Sequence, residues 1–433
     1  MGVGSGYLLK QRRFLPLFLT QFFGAFNDNA FKLAMLTLIS YHLSVSQAQS
    51  EYYQALSGAL FILPFFLFSA TAGQLADKYD KALLTRLVKV FELMLMIIGS
   101  FALYFGNIFL MMFTLTGMGA HSTFFGPIKY AILPDHLPRE DLLAATGYIE
   151  ASTFIAILLG TTLGTLAIGT VNATPLVAIF MTIVIAFAGL ITSLFIPSAP
   201  PLSTNLVVDL HVWRATKTML KHATGDRAVL IAMLTISWFW LLGAVLMTKL
   251  PDYTHYVLGA DTRVFAIFLA LFSIGIALGS LTINLLLKGK LKLSVVPYAM
   301  VGFSFFTFDL YCASPIHQVH EPLLGLIAFF TYIQHWHIAI DLFMLAFCAG
   351  LFVVPLYTYL QIASPPEARA RTIAANNIYN ALFMVGVTVL VMVLLHFNVD
   401  IPQVFFLLSL SNVLVAVCLW FFLGKMQLEM NNS

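Results

Sequence analysis

Long apolar segments alternate with short polar ones along nearly the whole chain, and this pattern predicts membrane-spanning helices. A helix needs about 20 mostly apolar residues to cross the hydrocarbon core of a bilayer. A shorter apolar stretch at 323–333 is better interpreted as a re-entrant or interfacial piece. Twelve segments are long enough to span, at 14–42, 54–76, 84–105, 107–132, 142–169, 174–196, 229–255, 263–287, 293–312, 338–362, 370–396 and 401–424.

Basic residues concentrate on one side of this predicted arrangement. Lys and Arg precede the first helix and follow every second helix. The loops on the opposite side that contain neither residue are 43–53, 170–174, 313–336 and 397–400. Because cytoplasmic loops carry the excess of Lys and Arg, both termini are predicted to be cytoplasmic.

The longest polar stretch divides the chain into two predicted halves. Residues 1–196 hold six helices, 197–228 form a cytoplasmic linker, and 229–433 hold the other six. Part of the linker, 208–222, has the pattern of a basic amphipathic helix that lies on a membrane surface, but we interpret it as a connection.

A sequence repeat supports the two halves. Pro127 and Pro138 recur as Pro355 and Pro366 with the same spacing, each pair spanning the end of the fourth helix of a half and the following loop. The next helix carries Glu150 in the first half and Asn377 and Asn380 in the second. Two matching six-helix halves are the plan of secondary transporters whose halves rock around a site near the bilayer midplane.

Composition excludes most other classes of protein. Of the 433 residues, 60% are hydrophobic and 9% are charged, which is typical of a polytopic membrane protein. The net charge of +3 gives no reason to expect nucleic acid as a partner. The three cysteines form no CxxC pair and no P-loop motif is present, so we expect no metal, no cofactor and no ATP hydrolysis. No cleavable signal peptide is expected, because the first apolar run is too long.

Charged residues inside the predicted helices are the candidate site. Asp28, beside Asn29, and Lys32 lie four residues apart near the middle of the first helix, so they share a face and can pair. Charges at that depth normally face a protein-lined cavity and mark a substrate or ion pathway. The alternative is a buried pair that only holds two helices together.

Other intramembrane charges extend this candidate site. Lys129 and Glu150 are predicted at similar depth on adjacent helices, and Lys249 is a lone cation in a long apolar run, a candidate substrate contact or partner of Asp28. Lys89 and Glu92 are three residues apart and are expected merely to pair with each other. We expect Asp309 and Asp341 to be solvated near helix ends, and most histidines to be interfacial.

The loop after the second helix resembles a motif of the major facilitator superfamily. Gly73, Asp77, Lys78 and Lys81 match G-x-x-x-D-[RK]-x-G-[RK], but Asp80 stands where the motif has glycine. The resemblance implies that Gly73 permits close helix contact. It also implies that Asp77 lies near a helix N-terminus or a basic residue and stabilises one state of a transport cycle.

Three further segments resemble the bacterial lysophospholipid transporters, a family of that superfamily. They are residues 21–30 (Gln-Phe-Phe-Gly-Ala-Phe-Asn-Asp-Asn-Ala), 127–132 (Pro-Ile-Lys-Tyr-Ala-Ile) and 147–160, with 350–356 also similar. Residues 237–243 and 269–279 look closest to the transporter part of relatives fused to acyltransferase domains. The resemblance implies a twelve-helix inner-membrane flippase that moves lysophospholipid by alternating access, with functional coupling to a cytoplasmic acyltransferase.

The resemblance also implies roles for single residues. Asp28, Lys129 and Glu150 match charged residues of that family in helices 1, 4 and 5. The family has an arginine in helix 7 that this chain lacks, and Lys249 lies about one turn away, which changes the expected contact with a phosphate head group.

Two other functions remain open from the residues alone. One is a proton-coupled carrier of a soluble polar solute, such as a drug, metabolite or siderophore, with Asp28 or Glu150 as the proton site. The other is a membrane acyltransferase, since His136 and Asp141 have the H-x4-D spacing of glycerolipid acyltransferases. The phosphate-binding segment of such enzymes is absent from the sequence, so we expect no enzyme.

Overall fold

A computed structural model of the chain describes residues 5–169, 174–315 and 323–432, with side chains up to Leu423. Within them the chain is helical, and the only β-structure is an isolated bridge between Ala260 and Leu324. The predicted loops at 170–174 and 313–336 fall partly outside these residues, whereas the last helix continues past its predicted end at 424. Twelve long helices are found: α1 Leu15–Leu38, α2 Gln47–Lys78, α3 Lys81–Tyr104, α4 Ile108–Ala131, α5 Leu142–Ile168, α6 Pro175–Leu194, α7 Arg227–Asp252, α8 Thr262–Leu287, α9 Val295–Ala313, α10 Ile333–Ala363, α11 Arg369–His396 and α12 Ile401–Asn432.

The helices correspond to the twelve predicted segments, but they differ in apolarity. Eleven are long and apolar enough to cross a membrane, and α1 is not among them. The 24 residues of α1 are sufficient in length. Its central run of Asn27, Asp28, Asn29 and Lys32 lowers its apolar character. The predicted count of twelve spans and the cytoplasmic termini therefore stay predictions.

One compact unit of the fold contains residues up to Ala145, Ile155–Leu230 and Leu360–Ala381. In it α2 packs on α4, α1 packs on α6, and α3 packs on both α4 and α6. An apolar core from α1, α3, α4 and α6 fills the space between them, with Met35, Met96, Leu115 and Ala186 fully buried. This packing surrounds the charged residues of α1, α3 and α4 with protein.

Two glycines of α5 allow an unusually close approach to α1. A Cβ atom placed on Gly160 would lie 2.4 Å from the carbonyl oxygen of Phe26, and one on Gly164 would lie 2.3 Å from that of Ala30. Both distances are below any real carbon–oxygen contact. Since small residues four apart let helix backbones touch in membranes, these glycines fix the position of the polar middle of α1.

We predict that Gly164→Ala destabilises the protein by about 1–3 kcal/mol, because the new methyl group has to push the α1 backbone away. The matched control is Gly243→Ala in α7, where a Cβ meets no atom within 4 Å. There, helix propensity alone should stabilise the protein by up to about 1 kcal/mol. Melting temperatures in detergent test the difference, and equal shifts for the two variants would contradict the close contact.

The second compact unit contains Thr146–Phe154, Ile231–Tyr359 and the residues from Leu382 onward. In it α9 packs on α12, and α8 meets α10 through glycines. A Cβ on Gly279 would lie 2.1 Å from the carbonyl oxygen of Phe347, and one on Gly350 would lie 2.3 Å from that of Ile276. Both units draw residues from either side of the 197–228 linker, so the predicted division into halves stays a prediction.

The segments between the long helices are short. The predicted amphipathic stretch at 208–222 overlaps the linker helix Val212–Ala223, which packs against α2 and has Ala215 and Met219 buried. The apolar stretch at 323–333 forms only a single turn of helix, Leu326–Phe329. Each proline-containing helix of the predicted repeat leads through a 3₁₀ turn into the next long helix. After α4 a short helical turn, Leu133–His136, comes before that 3₁₀ turn.

Candidate functional site

A cluster of buried charges lies inside the first unit, between α1, α3 and α4. Lys89 and Glu92 of α3 are both fully buried, and Lys89 Nζ lies 2.6 Å from Glu92 Oε2. His121 of α4 is also buried, with its Nε2 atom 3.1 Å from the same carboxylate oxygen. We call these three residues, together with Asn27 and Asp28 of α1, the charge cluster.

Helix α1 contributes the other side of the charge cluster. The side-chain amide of Asn27 donates to Glu92 Oε1 over 2.8 Å. Asp28 Oδ1 lies 3.8 Å from His121 Nδ1, and Asp28 Oδ2 accepts a hydrogen bond from the Ser122 hydroxyl. The imidazole of His121 therefore stands between two carboxylates on different helices.

The backbone of α1 leaves room for the lysine. A Cβ on Gly24 would lie 2.7 Å from Lys89 Nζ, and one on Gly189 of α6 would lie 3.4 Å from the same atom. The ammonium group also lies 5.6 Å from the centre of the Phe125 ring, a favourable cation–π distance. Glycines on two neighbouring helices and one aromatic face thus form the pocket that holds the cation.

The predicted ion pair between Asp28 and Lys32 does not form. Asp28 instead points to His121 and Ser122. Lys32 Nζ lies 5.7 Å from the centre of the Phe61 ring of α2. The two side chains share a helix face as predicted, but a histidine and a serine on α4 compete better for the carboxylate. Asn29 donates to the carbonyl oxygen of Ala25 in its own helix.

The charge cluster combines features that suit transport chemistry. Asp28 is 12% exposed, whereas Glu92 and Lys89 are fully buried, so Asp28 is the member that a ligand can reach. A carboxylate at that position can bind an ammonium group or a proton. His121 lies within 3.8 Å of one carboxylate and 3.1 Å of the other, so it links the two acidic groups.

His121 of this cluster was not predicted as a site residue from the sequence. We expected most histidines at helix ends or in loops, but His121 lies in the middle of α4 and is 1% exposed. Its position inside the predicted span 107–132 could have indicated the site, because an imidazole that deep in a membrane helix needs polar partners. Lys89 and Glu92 do pair, as expected, but they also belong to this larger network.

The other predicted site residues lie on several helices. Lys129 of α4 places Nζ 4.8 Å from the centre of the Tyr130 ring. Glu150 of α5 is fully buried. Asn377 of α11 lies against α4, since a Cβ on Gly126 would come within 2.8 Å of its amide nitrogen, and Asn380 is 6% exposed.

Asn376 of α11 was not among the predicted site residues, yet it is a buried polar side chain. Its side chain is fully buried and its amide makes no hydrogen bond to any described residue. A buried amide without a partner costs free energy, so it is a natural position for a polar ligand group.

Lys249 is not the lone cation that the sequence suggested. Its Nζ atom lies 3.3 Å from Asp252 Oδ2, one turn further along α7. Lys249 also lines a small cavity of about 40 Å³ together with Thr248 and Thr388. The local carboxylate explains how the lysine is accommodated near the end of a long apolar helix.

The loop motif holds the start of α11. The Asp77 carboxylate, at the end of α2, accepts the backbone N–H groups of Ala370 at 2.9 Å and Arg371 at 3.2 Å, and Arg371 Nε donates to it over 2.8 Å. These N–H groups belong to the first turn of a helix, where a negative charge is favourable. A Cβ on Gly73 would lie 2.8 Å from Ala374, so the glycine permits this close contact.

The departure from the motif at Asp80 has a structural reason. Asp80 Oδ1 accepts the backbone N–H groups of Ala82 and Leu83 and so caps the N-terminus of α3, and Ser198 donates to its other oxygen. Burial tends to raise the pKa of Asp80, but these hydrogen bonds outweigh it and leave the pKa below its usual value. Lys81 pairs with Asp135 at 2.9 Å, and Lys78 lies over the Tyr79 ring.

We predict that Asp77→Asn loosens the contact between α2 and the start of α11. Hydrogen bonds to a charged group are worth at least about 1.5 kcal/mol, which corresponds to roughly a tenfold change in an equilibrium. A cysteine introduced at Ala374, which is buried against Gly73, should then react about tenfold faster with a maleimide. The control is Asp80→Asn, which changes the cap of α3 and the hydrogen bond from Ser198 but not the contact with α11. Equal labelling of all three proteins would show that Asp77 does not hold this contact.

The two residues of the acyltransferase alternative, His136 and Asp141, are not paired. Asp141 accepts a hydrogen bond from the Tyr7 hydroxyl. His136 is 8% exposed, and its burial lowers its pKa. No hydrogen bond or ion pair joins His136 to Asp141 among the described residues, so the spacing in sequence does not produce a catalytic pair.

The sequence is similar to those of known membrane transporters. A family model described as Major Facilitator Superfamily matches residues 17–333. The lysophospholipid transporter LplT of Photorhabdus laumondii is 27% identical over 361 residues, which cover 82% of this chain and 81% of that protein. The protein of the same name from Escherichia coli O157:H7 is 26% identical over 393 residues, covering 85% and 88%.

Solved structures agree on the fold. The human organic anion transporter MFSD10 has a TM-score of 0.73 at 13% identity, with 94% of this chain and 99% of that chain covered. The proton:xylose symporter XylE has a TM-score of 0.71 at 14% identity, with 97% and 96% covered. At these identities the likeness concerns the arrangement of helices alone.

Proposed function

Because the chain belongs to the major facilitator superfamily, we propose that this membrane transporter moves a lysophospholipid across the bilayer by alternating access. The proposal is carried by the similarity to transporters named for that substrate over about four-fifths of the chain. As a secondary transporter of this superfamily it is an all-helical membrane protein, as the sequence predicted.

The charge cluster supports a polar head group as the cargo. A lysophospholipid has one acyl chain and a charged head, and the head cannot cross the hydrocarbon core without polar partners. Asp28 is the exposed member of the cluster and binds the ammonium group of an ethanolamine head. Lys32, Lys129 and Lys249 are cations for the phosphate, while Glu150, Asn377 and Asn380 supply further polar contacts.

Asp77 supports the conformational part of the proposal. Its carboxylate holds the first turn of α11 in the state described by the structure. Breaking and remaking this contact, with Gly73, Lys78 and Lys81 as the rest of the loop, is the cytoplasmic step of the transport cycle.

The proposed location and partners follow from the substrate. The protein resides in the bacterial inner membrane as a multi-pass flippase, is not itself an enzyme, and delivers lysophospholipid to a cytoplasmic acyltransferase that restores the second acyl chain. Neither a cofactor nor nucleic acid is part of this function.

A second candidate function rests on one specific observation. His121 lies between Asp28 and Glu92, and ionisable side chains in contact within membrane helices are typical of proton pathways. It favours a proton-coupled carrier, whose cargo would be a soluble polar solute if lysophospholipid is not moved.

Reconstituted vesicles test both candidates. Purified protein should move labelled lysophosphatidylethanolamine from the outer leaflet to a pool that albumin cannot extract, faster than in protein-free vesicles. The two-chain phosphatidylethanolamine is the control substrate and should not move faster. Failure with the lysolipid, combined with solute uptake that depends on a pH gradient, would replace the first proposal by the second.

A further inference from the structure

Three potential metal ligands meet in the second unit. Asp309 lies in the last two turns of α9, and His337 and Asp341 lie near the start of α10. His337 Nε2 is 2.8 Å from Asp309 Oδ2 and 3.7 Å from Asp341 Oδ2. One ligand atom from each residue lies within 4.8 Å of the other two.

The backbone explains why these side chains converge. His337 and Asp341 are four residues apart on α10, so they project from one face of the helix. His335, two residues before His337, is used elsewhere: its ring stacks on Phe329 at 3.9 Å and its Nδ1 contacts the Phe329 carbonyl oxygen at 2.6 Å. This contact fixes the start of α10 and leaves His337 directed toward α9.

This trio holds more acidic than basic side chains. Two carboxylates share a single imidazole, and no lysine or arginine pairs with either carboxylate in the described part of the chain. We expected Asp341 to be solvated, but its side chain is 1% exposed and its Oδ2 atom accepts no hydrogen bond from a described residue. A buried carboxylate oxygen in that state is stabilised by a bound cation or by a proton.

We propose that Asp309, His337 and Asp341 form a binding site for a divalent transition-metal ion that joins α9 to α10. Ligand atoms about 2.0–2.2 Å from a tetrahedral zinc ion are roughly 3.3–3.6 Å apart, and the two separations to His337 Nε2 lie on either side of that range. The imidazole selects against calcium and magnesium, which take oxygen ligands. Side chains of Asp309 and His337 are 31% and 50% exposed, so the ion has a path from the solvent.

Metal binding can be measured on the whole purified protein without any transport assay. Tag-free protein in detergent, stripped with EDTA and dialysed, is titrated with Zn²⁺ by calorimetry and with Mn²⁺ by electron paramagnetic resonance. We expect one saturable equivalent for the native protein. Loss of an outer partner of a metal ligand already weakens binding about 10–100-fold, so His337→Ala and Asp341→Asn should weaken it at least as much.

The control is His396→Ala, at the exposed end of α11, which should bind like the native protein. If Asp341→Asn does not fold, His337→Ala is sufficient for the test, because His337 is half-exposed. Absence of a saturable equivalent in the native protein overturns the proposal, and so does unchanged affinity in His337→Ala. Because no lipid is present, these outcomes are independent of the proposed transport function.

Discussion

Replacing Lys89 by alanine is expected to destabilise the protein by about 3–5 kcal/mol, the usual cost of removing one partner of a buried ion pair. Lys89 and Glu92 are both fully buried at 2.6 Å, so the substitution leaves a carboxylate inside the protein without its cation. It also leaves a cavity in the pocket formed by Gly24, Gly189 and Phe125. Loss of the folded species on heating in detergent, followed by size-exclusion chromatography, measures the effect.

A double variant separates the charge from the packing. Lys89→Met with Glu92→Gln removes both charges, keeps the volume, and retains an oxygen that accepts the Asn27 amide. Replacement of both partners of a buried pair is often close to neutral, so the double variant should be more stable than Lys89→Ala. Lys217→Ala, on the exposed face of the linker helix, should shift stability by no more than about 0.5 kcal/mol. If Lys89→Ala melts like Lys217→Ala, the pair does not support the fold.

Replacing Asp28 by alanine is expected to reduce lysophosphatidylethanolamine transport about 100-fold. Hydrogen bonds to a charged group are worth about 1.5–3 kcal/mol, and the upper value corresponds to roughly a hundredfold loss. Asp28 is partly exposed, so removing its charge costs less stability than removing that of Lys89. The measurement is the initial rate of transport in reconstituted vesicles, normalised to the amount of folded protein.

Two comparisons make the result specific for the charge. Asp28→Asn keeps a partner for the Ser122 hydroxyl, so it should fold like the native protein and still lose transport. Asp400→Ala removes an exposed carboxylate at the start of α12 and should transport normally. Normal rates for Asp28→Asn would exclude the carboxylate as the head-group contact, even if the protein transports lysophospholipid.

The helices could be predicted from the sequence because a membrane restricts the structures that a chain can form inside it. In hydrocarbon every backbone N–H must be satisfied within its own segment, so an apolar run of sufficient length becomes a helix whatever its neighbours are. The bounds of α8, for instance, agree with the predicted segment to within one residue. The contact of Asp77 with the first turn of α11 was expected only from the resemblance of its loop to the superfamily motif.

The partners of the intramembrane charges were harder to predict. Asp28 and Lys32 satisfy the four-residue rule, yet the carboxylate turns to His121 and Ser122 on α4. Lys249 was predicted to be alone, but Asp252 lies within reach. Spacing identifies which residues share a face of one helix, whereas the choice among partners depends on which helix packs against that face. That information is tertiary, and periodicity does not contain it.

The different ways in which these charges are neutralised have a consequence for how the protein enters the membrane. Lys89 and Glu92 lie one turn apart on the same helix, so α3 brings its own counter-ion when it is inserted. In the folded structure α1 makes no such internal pair, although Lys32 shares a face with Asp28: the contacts of Asp28 and Asn27 are to α4 and α3, which are synthesised later. A charged residue at the centre of an inserting helix costs about 2.5–3.5 kcal/mol. The first helix is therefore expected to leave the insertion machinery only after the fourth has emerged. Its stable integration into the membrane then depends on the packing of the first four helices together.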